Sequence, residues 1–170
     1  MPQIPNVIIV YRRPSERTTN AEKLSLEHRG LKHVPLLEGE EKLKQLSLQS
    51  NDITKIENIV SLPNLTFLDL SQNRLTEINK LPAFQHMRVL ILSKNQIETI
   101  ENLEVLSCLD VLDLNENRIS RIENLRGLRS LRILNLSNNL ISVLEFPFPL
   151  KSLQELNLRK NLICDVKEVN

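Results

Sequence analysis

The chain has 170 residues, a quarter of them charged, with a formal net charge of +1. That length supports one domain with a substantial core, and the evenly mixed charge gives no electrostatic preference for nucleic acid or for an anionic membrane surface. The apolar run Val7 to Tyr11 is far shorter than the roughly 20 residues of a membrane span, and its arginines come after the apolar patch where a secretory signal would place them first. A cytoplasmic chain is expected.

Taken in chain order, residues 1–20 carry no internal repeat. Their segment "PNVIIVYRR" reads as an N-terminal arm or as a cap strand packed partly on the repeats. Residues 21–42 keep an apolar set at Leu24, Leu26, Leu31, Val34 and Leu37, and form an atypical capping repeat with Arg29 at a position that later becomes asparagine. From residue 43 to residue 170 the chain repeats every 22 residues without insertion. Six copies fit L-x-x-L-x-L-x-x-N-x-I/L, with Met87 once in place of the first leucine, and Asn51, Asn73, Asn95, Asn117, Asn139 and Asn161 fall in one phase.

This spacing is not that of an amphipathic helix, which would place apolar residues at every third or fourth position. Leu90 and Leu92 alternate with Val89 and Ile91, so a short strand is predicted with the leucines inward and the other two outward. Ile97, Ile100, Leu103 and Leu106 return the chain on the other side. One such coil alone would leave both sides of its apolar slice in water, so the coils must stack. The asparagine amide, which both donates and accepts, suits the sharpest bend, where backbone groups would otherwise be buried unpaired. After the last copy no polar capping segment is present, so an open strand edge with apolar residues is expected there, as in a fragment or in a surface completed by a partner.

Catalytic chemistry finds little support. His28, His33 and His86 lie in different phases of the repeat, three glycines exclude a Gly-rich phosphate loop, and Glu40-Glu41 reads as a solvated face. No cofactor and no metal site is expected. Cys108 and Cys164 fall in different phases and read as free thiols.

The segments "ITKIENIVSLPNL", "IETIENLEVLSCL" and "ISRIENLRGLRSL" resemble the IxxIENLxxLxxL signature of SDS22-like leucine-rich repeats. The resemblance implies an α/β fold class, a curved leucine-rich-repeat solenoid with a parallel concave β-sheet and short 3-10 or helical turns on the convex side. Residues 21–59 and 87–125 are moreover similar to the leucine-rich-repeat subunit family of the tubulin polyglutamylase complex. That similarity implies a non-catalytic scaffold in a microtubule- or cilium-associated assembly, with polyglutamylase subunits or tubulin as partners. The repeat class also suggests an alternative, a regulatory subunit of protein phosphatase-1, although Phe67 is the single aromatic in the outward strand columns and no Trp is present.

On the concave face the outward positions become the candidate partner-binding residues. One column is Phe67, Val89, Val111 and Ile133, and the second holds Asp69, Ile91, Asp113 and Asn135, with Lys94 and Glu116 at the rim. A contiguous apolar stripe with a charged border suits a protein contact, while strand propensity alone also favours such residues. "EFPFP" sets Phe146 and Phe148 on either side of Pro147 in a coil that abandons the IENL pattern, as a rigid turn or a second contact site.

Overall fold

The structure is a computed structural model that describes residues 10, 12, 13, 15, 19–59, 61–78, 81, 82, 84–146 and 149–166. Most of the N-terminal arm, and Phe148, lie outside the described residues. The strands are β1 (Lys23–Ser25), β2 (Gln45–Ser47), β3 (Phe67–Asp69), β4 (Val89–Ile91), β5 (Val111–Asp113), β6 (Ile133–Asn135), β7 (Val143–Leu144), β8 (Glu155–Asn157) and β9 (Asp165–Val166). Seven of them form one sheet in the order β1-β2-β3-β4-β5-β6-β8, and β7 and β9 form a second sheet of two strands.

Every pair in the large sheet is parallel, and each leucine pairs with the leucine of the next coil: Leu46 with Leu68, Leu68 with Leu90, Leu90 with Leu112. The constant period therefore sets the register, because a sheet built from identical coils aligns equivalent residues without slippage. Leu46, Leu68, Leu90, Leu112 and Leu134 are fully buried, as are Leu48, Leu70, Leu92, Leu114 and Leu136 two positions on. At about 1.5–3 kcal/mol per enclosed leucine, stacking these slices offsets an ordering entropy that no isolated coil would recover.

The return path of each coil uses the tighter of the two kinds of turn that the family resemblance implies, the 3-10 kind. Leu106 N donates to Leu103 O at 3.0 Å and Leu109 N to Leu106 O at 3.0 Å, and the same pair of bonds recurs at Leu125, Leu128 and Leu131. These three-residue hydrogen bonds run end to end and do not overlap. The chain thus advances through single tight turns, and no helix forms on this side among the described residues. The reason is reach: a helix advances only about 1.5 Å per residue, too little for so short a coil to return to its starting edge.

Each ladder asparagine ties two coils together. Asn95 Nδ2 donates to Leu92 O in its own coil and to Leu70 O in the preceding one, both at 3.0 Å, and its Oδ1 accepts from Leu75 N at 3.0 Å. Asn51 does the same for the first coil, accepting from Arg29 N and Leu31 N and donating to Leu26 O, so the coil with arginine at the ladder position is held by its neighbour. Immediately before the asparagine the backbone is left-handed: φ is 56° at Ser50, 55° at Gln72, 56° at Lys94, 52° at Glu116, 55° at Asn138 and 55° at Lys160.

A second asparagine series runs along the return path. Asn58, Asn102 and Asn124, from the IENI and IENL segments, also have φ of 58–59° and donate to Val34 O, Ile78 O and Ile100 O of the preceding coil at 2.6–2.9 Å. Asparagine tolerates this conformation better than most side-chain-bearing residues. The letter N in that signature is thus a backbone requirement joined to an inter-coil tie.

Glu40 is not the solvated carboxylate expected from sequence. It is 3% exposed, and Arg12 closes over it with a two-pronged ion pair, Nε donating to Oε1 at 2.9 Å and Nη2 to Oε2. Arg12 also donates to Asn20 O at 2.7 Å and Lys23 O at 3.1 Å, and Val10 N to Leu36 O at 3.2 Å, so this part of the N-terminal segment is fastened to the first coil. Burial without a partner would be prohibitive for a carboxylate, which is why the pair forms here.

Urea denaturation of the intact chain measures how much these ties contribute. Arg12→Ala is expected to cost about 3–5 kcal/mol, since it strands a buried carboxylate, whereas Arg12→Met combined with Glu40→Leu recovers most of that loss. Asn95→Ala is expected to cost about 1–3 kcal/mol by leaving the Leu75 N–H unpaired, since Leu70 O and Leu92 O still accept from Asn73 Nδ2 and Asn117 Nδ2. Leu90→Ala, a plain core truncation, falls at about 2–5 kcal/mol.

Candidate functional site

The concave surface is built by the two outward residues of each strand. Phe67 pairs with Val89, Val89 with Val111 and Val111 with Ile133, at the parallel-strand spacing of about 4.8 Å. The second column aligns Asp69, Ile91, Asp113 and Asn135 in the same way. All eight are half-buried rather than fully exposed, because each side chain leans on its counterparts in adjacent coils. The stripe is therefore ordered by its own neighbours while leaving one side of every residue open.

Lys94 and Glu116 are exposed and stand one coil apart beside the ladder, away from the apolar column, where the left-handed backbone turns them outward. On the opposite rim, Arg132 grips Asp110 of the preceding coil at 2.6 and 2.7 Å, and the hydrogen bond and charge of the guanidinium hold the Asp110 carboxyl below its ordinary range. This rim pair, and the exposed Arg88 near Asp110, were not among the residues expected from sequence.

Asp69 and Asp113 sit two coils apart with Ile91 between them. Each turns one oxygen to its own strand, Asp69 Oδ1 accepting from Ser71 N at 2.8 Å and Asp113 Oδ1 from Asn115 N at 2.9 Å. Burial pushes the Asp113 carboxyl above its ordinary value of 3.8; the Asn115 N–H and the Asn135 side chain oppose the rise, and the charge of Asp69 adds to it. Beyond Asp113 a polar chain continues, with Asn115 Oδ1 accepting from Ser137 Oγ at 2.8 Å and Asn138 Nδ2 at 2.9 Å, and Asn135 Oδ1 from Ser137 Oγ at 2.8 Å. One end of the groove is thus apolar and acidic, the other a network of neutral amides and hydroxyls.

Elsewhere the chemistry is sparse. His28, His33 and His86 are exposed and separate, His33 Nδ1 lying 3.1 Å from Glu57 Oε1. Among the described residues no group of three His, Cys, Asp or Glu is placed to hold a metal ion, and no helix is long and apolar enough to cross a membrane. Cys108 is half-buried and Cys164 exposed, both as free thiols.

A parallel-sheet solenoid that presents a row of half-open side chains along one face has the architecture of a repeat-built interaction domain. More particularly, the chain belongs to the leucine-rich-repeat family: the family described as "Leucine Rich repeats (2 copies)" matches residues 41–83 and 85–127, and "Leucine Rich Repeat" matches residues 130–150. Mouse leucine-rich repeat-containing protein 49 is 46% identical over 62 residues, a segment that covers 36% of this chain and 9% of that protein. Among solved structures, the leucine-rich repeat domain of APL1B superposes with a TM-score of 0.74 at 24% identity, over 93% of this chain and 49% of that one. An internalin of Listeria monocytogenes gives a TM-score of 0.73 at 25% identity, over 95% of this chain and 52% of that one. The chain therefore spans about half the length of these structural relatives and a small part of the mouse protein.

The raised Asp113 carboxyl gives a measurable pH effect. With its folded-state value above 3.8, the penalty for the ionised form is absent while the group is protonated in both folded and unfolded states and complete once pH exceeds the folded value. Asp113→Asn keeps an acceptor for Asn115 N, so it is expected to raise the thermal midpoint at neutral pH and to lose that advantage below about pH 4. Melts of parent and variant across that range provide the check.

Proposed function

We propose that this chain is a non-enzymatic scaffold that holds partner proteins on its concave face within a microtubule- or cilium-associated assembly, such as one that polyglutamylates tubulin. The observation that carries the scaffold reading is the stripe of Phe67, Val89, Val111 and Ile133: four half-open apolar residues in register on a sheet of seven strands, with Asp69 and Asp113 beside them. Apolar anchors bordered by charge are what a specific protein contact uses, the first for affinity and the second for orientation. The assembly itself is suggested by the resemblance of residues 21–59 and 87–125 to the polyglutamylase subunit family, and a cytoplasmic location on the cytoskeleton goes with that reading.

The test is affinity capture from ciliated-cell lysate with the intact chain as bait, compared with the Ile91→Glu, Val111→Glu double variant. Both residues project from the sheet, so the variant is expected to keep its circular dichroism and melting temperature and to lose at least tenfold in recovery of polyglutamylase subunits or tubulin, about 1.4 kcal/mol. Capture of a phosphatase-1 catalytic subunit in their place would replace the cytoskeletal reading with the regulatory one. Capture unaffected by the double substitution would remove the concave face from the function.

A further inference from the structure

Where each coil leaves its return path and enters the next strand, the edge of the solenoid carries an uneven charge. Backbone bonds put Arg88, Asp110, Arg132 and Gln154 in one row, Asp110 N donating to Arg88 O at 2.8 Å, and Arg132 N to Asp110 O and Gln154 N to Arg132 O at 2.9 Å. Three positions earlier in each coil, a second row holds Gln85, Ser107, Arg129 and Lys151. The serines that follow Arg129 and Lys151 fasten it, Ser130 Oγ donating to Ser107 O at 2.9 Å and Ser152 Oγ to Arg129 O at 2.7 Å. Between the rows Met87, Leu109 and Leu131 are buried, so both rows stand on the core.

The two rows hold four cations and one carboxylate. Arg88, Arg129, Arg132 and Lys151 are exposed, and the carboxylate, Asp110, is already gripped by Arg132. Arg88, Arg129 and Lys151 make no side-chain hydrogen bond or ion pair among the described residues. The border does not cancel this excess. Exposed Glu104 faces Arg126 at the same place in the next coil, and exposed Glu155 follows Gln154. With these included there are five cations to three carboxylates, in a chain whose formal net charge is only +1.

Charge at protein contacts is arranged to meet its opposite, and a guanidinium or ammonium without a carboxylate of its own chain is where a partner's carboxylate gains most. A polyphosphate suits this edge poorly. Asp110 interrupts the cations with a fixed negative charge, Glu104 and Glu155 bound them, and no aromatic side chain stands in either row for a base to stack on. Separate carboxylates on a peptide can seat beside the free cations and pass over Asp110.

We propose that this edge is a docking surface for a glutamate-rich segment of a partner protein, whose carboxylates seat on Arg129 and Lys151 and, beyond the ion pair of Arg132 with Asp110, on Arg88. The surface borders the concave face without using its apolar stripe, so it does not rest on the function proposed there.

Fluorescence anisotropy tests it, with the intact chain titrated into a short labelled oligoglutamate, and with oligolysine and a single-stranded oligonucleotide of equal length as comparisons. Saturable binding of the oligoglutamate is expected, weakening as ionic strength rises. Arg129→Ser with Lys151→Ser is expected to weaken it roughly tenfold and Arg88→Ser by a smaller factor, whereas Glu104→Gln with Glu155→Gln strengthens it. Arg118→Ser with Arg121→Ser removes the same charge from exposed positions just after the ladder asparagine, across the sheet from these rows, and should leave binding unchanged. All the substituted side chains are exposed, so unchanged circular dichroism is expected, and if one variant disturbs the fold the others decide. The proposal is overturned by absence of saturable binding, by equal binding of oligolysine, by tighter binding of the oligonucleotide, or by equal loss in the Arg118, Arg121 variant.

Discussion

Each coil of this protein turns a tight corner with backbone groups facing inward, and the rest of the structure depends on how those groups are paired. Backbone bonds between coils pair some of them, Lys94 N donating to Asn115 O and Gln96 N to Leu75 O, both at 2.8 Å. The ladder asparagine pairs others, with one amide that donates to two coils and accepts from the earlier one. Removing water from a polar corner is tolerable only where every donor and acceptor finds a partner. Given that pairing, leucines can fill the slice beneath it, and the sheet register comes from equal coil lengths.

The same arrangement separates two duties that most folds mix. Stability comes from the inward leucines and from ties between adjacent coils, while the outward positions of the strands are only half-buried and keep one side open. Asp113 illustrates the division: its carboxylate sits partly desolvated between an apolar column and another acid, a placement that costs the folded state something above acidic pH. Strain of this kind at an outward position is tolerated where the scaffold beneath is secure, and it is common at surfaces that bind.

Much of this architecture is legible in the sequence, for a particular reason. A period without insertions makes equivalent residues neighbours, so Leu68, Leu90 and Leu112 can be stacked, and Phe67, Val89, Val111 and Ile133 aligned, by counting alone. What counting does not reach depends on contacts outside the period. Glu40 lies 28 positions from Arg12, and nothing local marks a carboxylate as buried when its partner comes from a non-repeating segment. Which of the two expected kinds of turn the return path uses is likewise beyond counting, because residue spacing shows which side chains turn inward but not whether the turns between them overlap into a helix. The tie made by Asn58, Asn102 and Asn124 has a visible signal, the recurring N of IENL, whose backbone cause emerges only once φ is known. Leu140 and Leu162 are equally visible, as departures from the polar column of Asp52, Arg74, Gln96 and Arg118 that follows the ladder asparagines.

Ser50, Gln72, Lys94, Glu116, Asn138 and Lys160 share a left-handed backbone shape that glycine would adopt most easily, yet the chain has only three glycines and none of them here. The conformational cost, about 1 kcal/mol or more for each such residue, is met by the adjacent asparagine, which fixes the corner whatever side chain precedes it. Identity at these sites is thereby uncoupled from folding. Six such positions are displayed in a line at coil spacing, so side chains along this edge can be exchanged one at a time without renegotiating the architecture that carries them.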